Sequence, residues 1–108
     1  MTRLAADLWV SAYRARLEAE GLAVYIVSKG DPTAGAILVK VARLDGAARL
    51  HGRLADAEGG RPWTVIAEGD ETAVDAAIDR QRRFDPDIWV IEVEARDGDA
   101  RLDRPGFA

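Results

Sequence analysis

The segment Phe84-Asp85-Pro86-Asp87-Ile88-Trp89-Val90-Ile91-Glu92-Val93-Glu94 limits the folds open to this chain more than any other. Pro86 biases Asp85 out of the α region, so a helix arriving from the N-terminal side must finish by Phe84. A strand over 88–95 then follows. Its first half is apolar on both faces, and its second half alternates Glu92 and Glu94 with Val93 and Ala95. Such a strand belongs in the middle of a sheet, with one end buried and the other reaching water.

The 108 residues suit one domain with one core. The net charge of −4 argues against binding nucleic acid or anionic lipid through bulk charge. The absence of cysteine excludes disulfides, thiolate nucleophiles and cysteine metal sites. The start, Met1 to Asp7, lacks the apolar core of a signal peptide, and no apolar run approaches the ~20 residues that span a bilayer. A cytoplasmic protein without a membrane segment is the expectation.

Periodicity predicts an amphipathic helix over 6–20, with Leu4, Leu8, Ala12 and Ala15 on one stripe and Trp9, Tyr13 and Leu17 on its flank. Gly21 suits the position just past its end. A β-rich run at 22–28 closes on the turn residues of Gly30 to Gly35. Strands over 36–44 and 47–54 flank Asp45-Gly46, a strong hairpin signal. In the first of them Ile37, Val39 and Val41 are read as facing the core, opposite Leu38, Lys40 and Ala42. In the second, Arg49, His51 and Arg53 share the polar face. After a loop at 55–60, Pro62 to Ala67 forms a short strand whose proline marks an edge or a beginning. A helix over 71–83 follows, with Ala73, Val74, Ala77, Ile78 and Gln81 inward. Thr72 and Asp75 resemble a capping box there, and Asp70 is a rival cap.

The order α-β-β-β-β-α-β predicts an α+β domain: a five-stranded, largely antiparallel sheet with two helices on one face. A crossover through the second helix can set the last strand parallel to a neighbour. The domain is placed at 1–98, and 99–108 reads as a loosely held tail to which Leu102 and Phe107 could dock.

No catalytic constellation emerges. His51, the one histidine, lies between two arginines that would lower its pKa, and reads as a surface residue. Glu92 and Glu94 read as the wet face of a strand. Arg80, Arg82 and Arg83, with Arg14 and Arg16 on the other helix, could contact phosphates, but the tryptophans sit in apolar stretches and the footprint of a basic domain is missing. The Gly30–Gly35 loop lacks P-loop and dinucleotide patterns. No cofactor or metal is implied.

Three stretches carry a resemblance: Leu8-Trp9-Val10-Ser11-Ala12-Tyr13-Arg14, Ala34 to Gly46, and Arg83 to Glu94. They resemble a family of short, mainly alphaproteobacterial proteins known as domain of unknown function 1491. The resemblance spans nearly the whole chain. It implies a cytoplasmic bacterial protein of this length, and no activity or catalytic residues. Ala95 departs from the acidic residue that the resemblance would place before Arg96.

The reading favoured by the sequence is a non-enzymatic interaction module acting as a homodimer or on a protein partner, with Trp9 and Tyr13, a turn apart, as an anchor whose burial the sequence leaves open. The candidate contact residues are Trp9, Tyr13, Arg14, Arg80, Arg83, Asp85 and Asp87. Two alternatives remain: a ligand binder or enzyme built on the carboxylates and arginines near Asp85–Glu94, and a weak single-stranded nucleic-acid binder.

Overall fold

The computed structural model describes residues 4–53 and 62–107. Helix α1 (Ala6–Ala19) leads into β1 (Ala23–Ser28), β2 (Ile37–Ala42), β3 (Ala47–Arg53) and β4 (Trp63–Asp70). Helix α2 (Glu71–Phe84) and β5 (Trp89–Glu94) complete the order. Leu54 and the expected 55–60 loop lie outside the described residues. The sheet runs β1-β5-β2-β3-β4. Only β2 and β5 are parallel, with Val39 beside Ile91, so the crossover through α2 sets the last strand parallel to a neighbour. β5 lies in the sheet interior, as its apolar run predicts.

The helices do not share a face. Trp9, Val10, Tyr13 and Leu17 of α1 pack with Val39, Val41, Trp89, Ile91 and Val93. Val74, Ala77 and Ile78 of α2 pack with Leu38, Leu50, Ile88 and Val90 on the other side. Strand residues alternate between faces, so a strand apolar at both parities needs cover on both sides. That requirement is met by one helix per face, which corrects the two-helices-on-one-face expectation.

The stripe on α1 is corrected as well. The buried positions are Ala6, Trp9, Val10, Tyr13 and Leu17. Leu4 and Leu8 are 55% and 58% exposed, and Ala12 and Ala15 are exposed beside them. The aromatic flank has the larger area to bury and wins the core.

The C-terminal segment is docked rather than loosely held. Ala100, Leu102 and Phe107 are buried in the α1-side core. The Phe107 ring meets Trp9 at 5.6 Å and Tyr13 at 5.4 Å, edge to face in both cases. Trp63 Nε1 donates to the Phe107 carbonyl at 2.6 Å, and Arg104 pairs with Glu20. The Tyr13 hydroxyl donates to the Ala100 carbonyl at 2.7 Å. Burial pushes that hydroxyl far above the usual tyrosine pKa, with Arg101 opposing. Tyr13→Phe leaves the Ala100 carbonyl without this donor, and is expected to cost about 1–2 kcal/mol in urea unfolding. An unchanged midpoint would show that the bond contributes nothing net.

Asp70, not the Thr72–Asp75 pair, caps α2: its side chain accepts from Ala73 N at 2.8 Å. α1 has no side-chain cap. The loop after β1 supplies acceptors instead, Ala6 N donating to Thr33 O at 3.1 Å and Asp7 N to Pro32 O at 2.9 Å.

Candidate functional site

The contact residues chosen from sequence do not converge. Trp9 and Tyr13 stack on each other at 4.9 Å inside the core, so they offer no surface anchor. Arg14 is exposed on α1, where Nε reaches Glu18 at 3.4 Å. Arg80 and Arg83 are exposed on α2, close in sequence to Phe84, itself 88% exposed. The helices lie on opposite faces, so Arg14 cannot join Arg80, Arg82 and Arg83 in one phosphate-binding patch. Trp9 is buried, so it offers bases no surface on which to stack.

Asp85 and Asp87 are turn residues. Asp85 Oδ1 accepts from Asp87 N at 3.0 Å, and the Asp87 carbonyl accepts from Asp31 N at 2.9 Å. Trp89 Nε1 closes the same junction on the Asp31 carbonyl at 2.8 Å. Gly30 and Gly35 are there for space: a Cβ on Gly30 would lie 2.1 Å from the Asp87 carbonyl oxygen, and one on Gly35 would lie 2.6 Å from it.

Sequence reasoning missed Lys40. Its side chain is only 5% exposed, with Nζ 2.9 Å from Asp75, 3.0 Å from Glu71 and 3.3 Å from Glu92. Burial works against the ammonium, but hydrogen bonds to Asp75 and Glu71 and the charge of Glu92 outweigh it and hold its pKa above the usual lysine value. A lysine kept protonated is no nucleophile or base near neutrality. It fastens the first turns of α2 to the sheet. The available signal was a single charge inside the run Ile37-Leu38-Val39-Lys40-Val41-Ala42 with acids following at helical spacing in α2.

His51 is half-buried rather than a surface residue, and its Nε2 is buried without a hydrogen-bond partner. Burial, then Arg49, lowers its pKa, while Asp99 opposes them. It borders a cavity of about 730 Å³ whose other walls include Trp63, Asp99 and Leu102. Asp85, Asp87, Glu92 and Arg83 do not line this cavity. Among the described residues no group of three or more histidines and carboxylates is placed to hold a metal, and no helix is long and apolar enough to cross a membrane.

A family model described as "Protein of unknown function (DUF1491)" matches residues 4–103. The chain belongs to the DUF1491 family. Its fold recurs in a crystal structure of a DUF1491 protein from Caulobacter crescentus CB15, at 42% identity and a TM-score of 0.84, covering 94% of this chain and 97% of that one. An NMR structure of a DUF1491 protein from the same organism matches at 41% identity and TM-score 0.85, covering 97% of each chain. Protein Atu0922 from A. tumefaciens, solved in solution, matches at 30% identity and TM-score 0.75, over 98% of this chain and 92% of that one. No curated protein matches. For DUF1491, then, the resemblance read from the sequence holds, and it brings a fold without an activity.

Proposed function

We propose that the protein is an interaction module that pairs with a second copy of itself through the outer face of α1. What carries the reading is the exposed stripe Leu4, Leu8, Ala12 and Ala15, with the leucines more than half exposed. At 100° per residue, Leu8, Ser11, Ala12, Ala15 and Ala19 span about a quarter to a third of the helix circumference, and Leu4 stands just ahead of the first turn.

The stripe is self-complementary in size. In an antiparallel pair about a twofold axis between Ser11 and Ala12, Leu8 of one copy lies over Ala15 of the other. The small residues let the helices approach closely, and leucines at one end fill the space above alanines at the other. Charge agrees: Asp7 and Arg14 occupy the same flank of the stripe and face each other across the axis, as like flanks meet in antiparallel pairs. A single helix pair makes a small interface, so a weak dimer is expected.

Sedimentation equilibrium over the micromolar range checks this. The expected result is a reversible monomer–dimer equilibrium that Leu8→Glu shifts to monomer, because each leucine buried is worth about 1.5–3 kcal/mol. Thermal unfolding of the dilute monomer should be unchanged by Leu8→Glu, since the side chain touches solvent. A monomer at all concentrations, or a dimer indifferent to Leu8→Glu, would overturn the reading.

A further inference from the structure

α1 packs on β1 and the β5–β2 centre of its face, and a helix about 10 Å wide cannot cover five strands spaced about 4.8 Å apart. Over β3 and β4 that face is roofed instead by the turn Asp97–Asp103, which leaves the cavity of about 730 Å³. That volume lies in the range of small-ligand sites. Its walls are apolar at Pro62, Trp63, Ala100 and Leu102.

Three of the cations nearby are committed, while the exposed Arg43 lies against Gly98 at the edge of the roof. Arg49 Nε donates to Glu68 at 3.1 Å, Arg53 lies 4.5 Å above the Trp63 ring and donates to the Phe107 carbonyl, and Arg101 grips Asp97 through two bonds of 3.0 and 3.1 Å. His51 is held below its ordinary pKa by burial and by Arg49, against Asp99, so its surroundings disfavour the charged form. Two exposed carboxylates on the roof remain without a side-chain partner among the described residues. The Asp99 carboxylate accepts the Arg101 backbone N–H at 2.9 Å, and among the described residues no hydrogen bond reaches the Asp103 side chain.

We propose that this cavity binds a small organic cation, a protonated amine on an apolar or aromatic body, with the body against Trp63 and Leu102 and the ammonium between Asp99 and Asp103. The same carboxylates repel an anion, and a neutral analogue gains only the apolar contact.

The test is an NMR titration of the full chain with benzylammonium, using benzyl alcohol and benzoate as the matched neutral and anionic probes. Benzylammonium should give saturable shifts at the Trp63 indole N–H and the amides of 97–103. It should bind about tenfold more tightly than benzyl alcohol, the discrimination that two partly exposed ion pairs can supply. Asp99→Asn combined with Asp103→Asn should remove that advantage. Both side chains are exposed, and asparagine keeps the acceptor used by Arg101, so the rest of the spectrum should stay in place. Equal affinity for the alcohol, tighter binding of benzoate, shifts that never saturate or lie elsewhere, or a double variant that binds as before would each overturn the proposal.

Discussion

Gly30→Ala is expected to be among the most damaging small substitutions in this protein, lowering stability by about 3 kcal/mol or more. The added methyl would stand 2.1 Å from the Asp87 carbonyl oxygen, 2.7 Å from the Ile88 carbonyl carbon and 2.7 Å from Trp89 Cδ1. Two of these three are backbone atoms, which no rotamer change can clear. Relief requires the 30–35 loop to move off the turn before β5. That loop also supplies the Pro32 and Thr33 carbonyls to the start of α1 and accepts the Trp89 indole at Asp31, so a shift there loosens three elements together. For a domain near 100 residues the fall in melting temperature should be on the order of 15 °C. Gly21→Ala is the control: its φ of +87° is strained for alanine, but nothing lies within 4 Å. That variant should lose only about 1 kcal/mol. If both variants melt together, the close approach at Gly30 is not what fixes glycine there.

The second large effect belongs to Lys40. Lys40→Ala should cost about 2–3 kcal/mol in denaturant unfolding. Breaking a buried ion pair costs about 3–5 kcal/mol, and the figure is reduced here because Glu71, Asp75 and Glu92 keep 40%, 57% and 25% of their side-chain surface and can turn to water. Lys40→Met, which fills the space, should lose about 1 kcal/mol less, so the pair of variants separates volume from charge. The pH dependence has a definite sign. The folded-state pKa of Lys40 lies above its unfolded value, so its contribution is fully present below about pH 10 and declines only as the pH climbs beyond the ordinary lysine range. Following the wild-type minus Lys40→Met difference from neutral to alkaline pH tests this. A difference that already shrinks between about pH 7 and 9 would mean that the carboxylates do not hold the ammonium.

Much of the fold was legible because it rests on local signals. Pro86 ended α2, Asp45-Gly46 joined β2 to β3, and the apolar run after Asp87 found the sheet interior. The errors came from decisions that local pattern cannot make. On α1, Leu4-Leu8-Ala12-Ala15 and Trp9-Tyr13-Leu17 both have helical spacing, and the aromatic side turns inward onto partners distant in sequence, Trp63 and Phe107. The placement of α2 could have been inferred, since Val90 and Ile91 are both fully buried and a strand dry on both sides requires two layers. Lys40 looked like the polar side of a half-exposed strand until Glu71 and Asp75 arrived from the opposite layer. His51 and Asp99 meet at the cavity because the chain turns back after β5, and no spacing records that.

The position of β5 has a consequence for how the chain is made. Among the described residues β1 has β5 as its only strand neighbour, and β5 separates it from β2. The segment that must enter this gap, Trp89–Glu94, leaves the ribosome after the four other strands, and the aromatic plug of α1, Phe107, comes later still. A nascent chain that reaches Phe84 can form the β2–β3–β4 hairpins and dock α2 on them, but α1 and β1 have no strand to join. Helix α1 and strand β1 therefore wait in an unprotected state until β5 has been made, and a chain cut short before β5 would carry two open strands and a bare tryptophan face, a substrate for proteolysis.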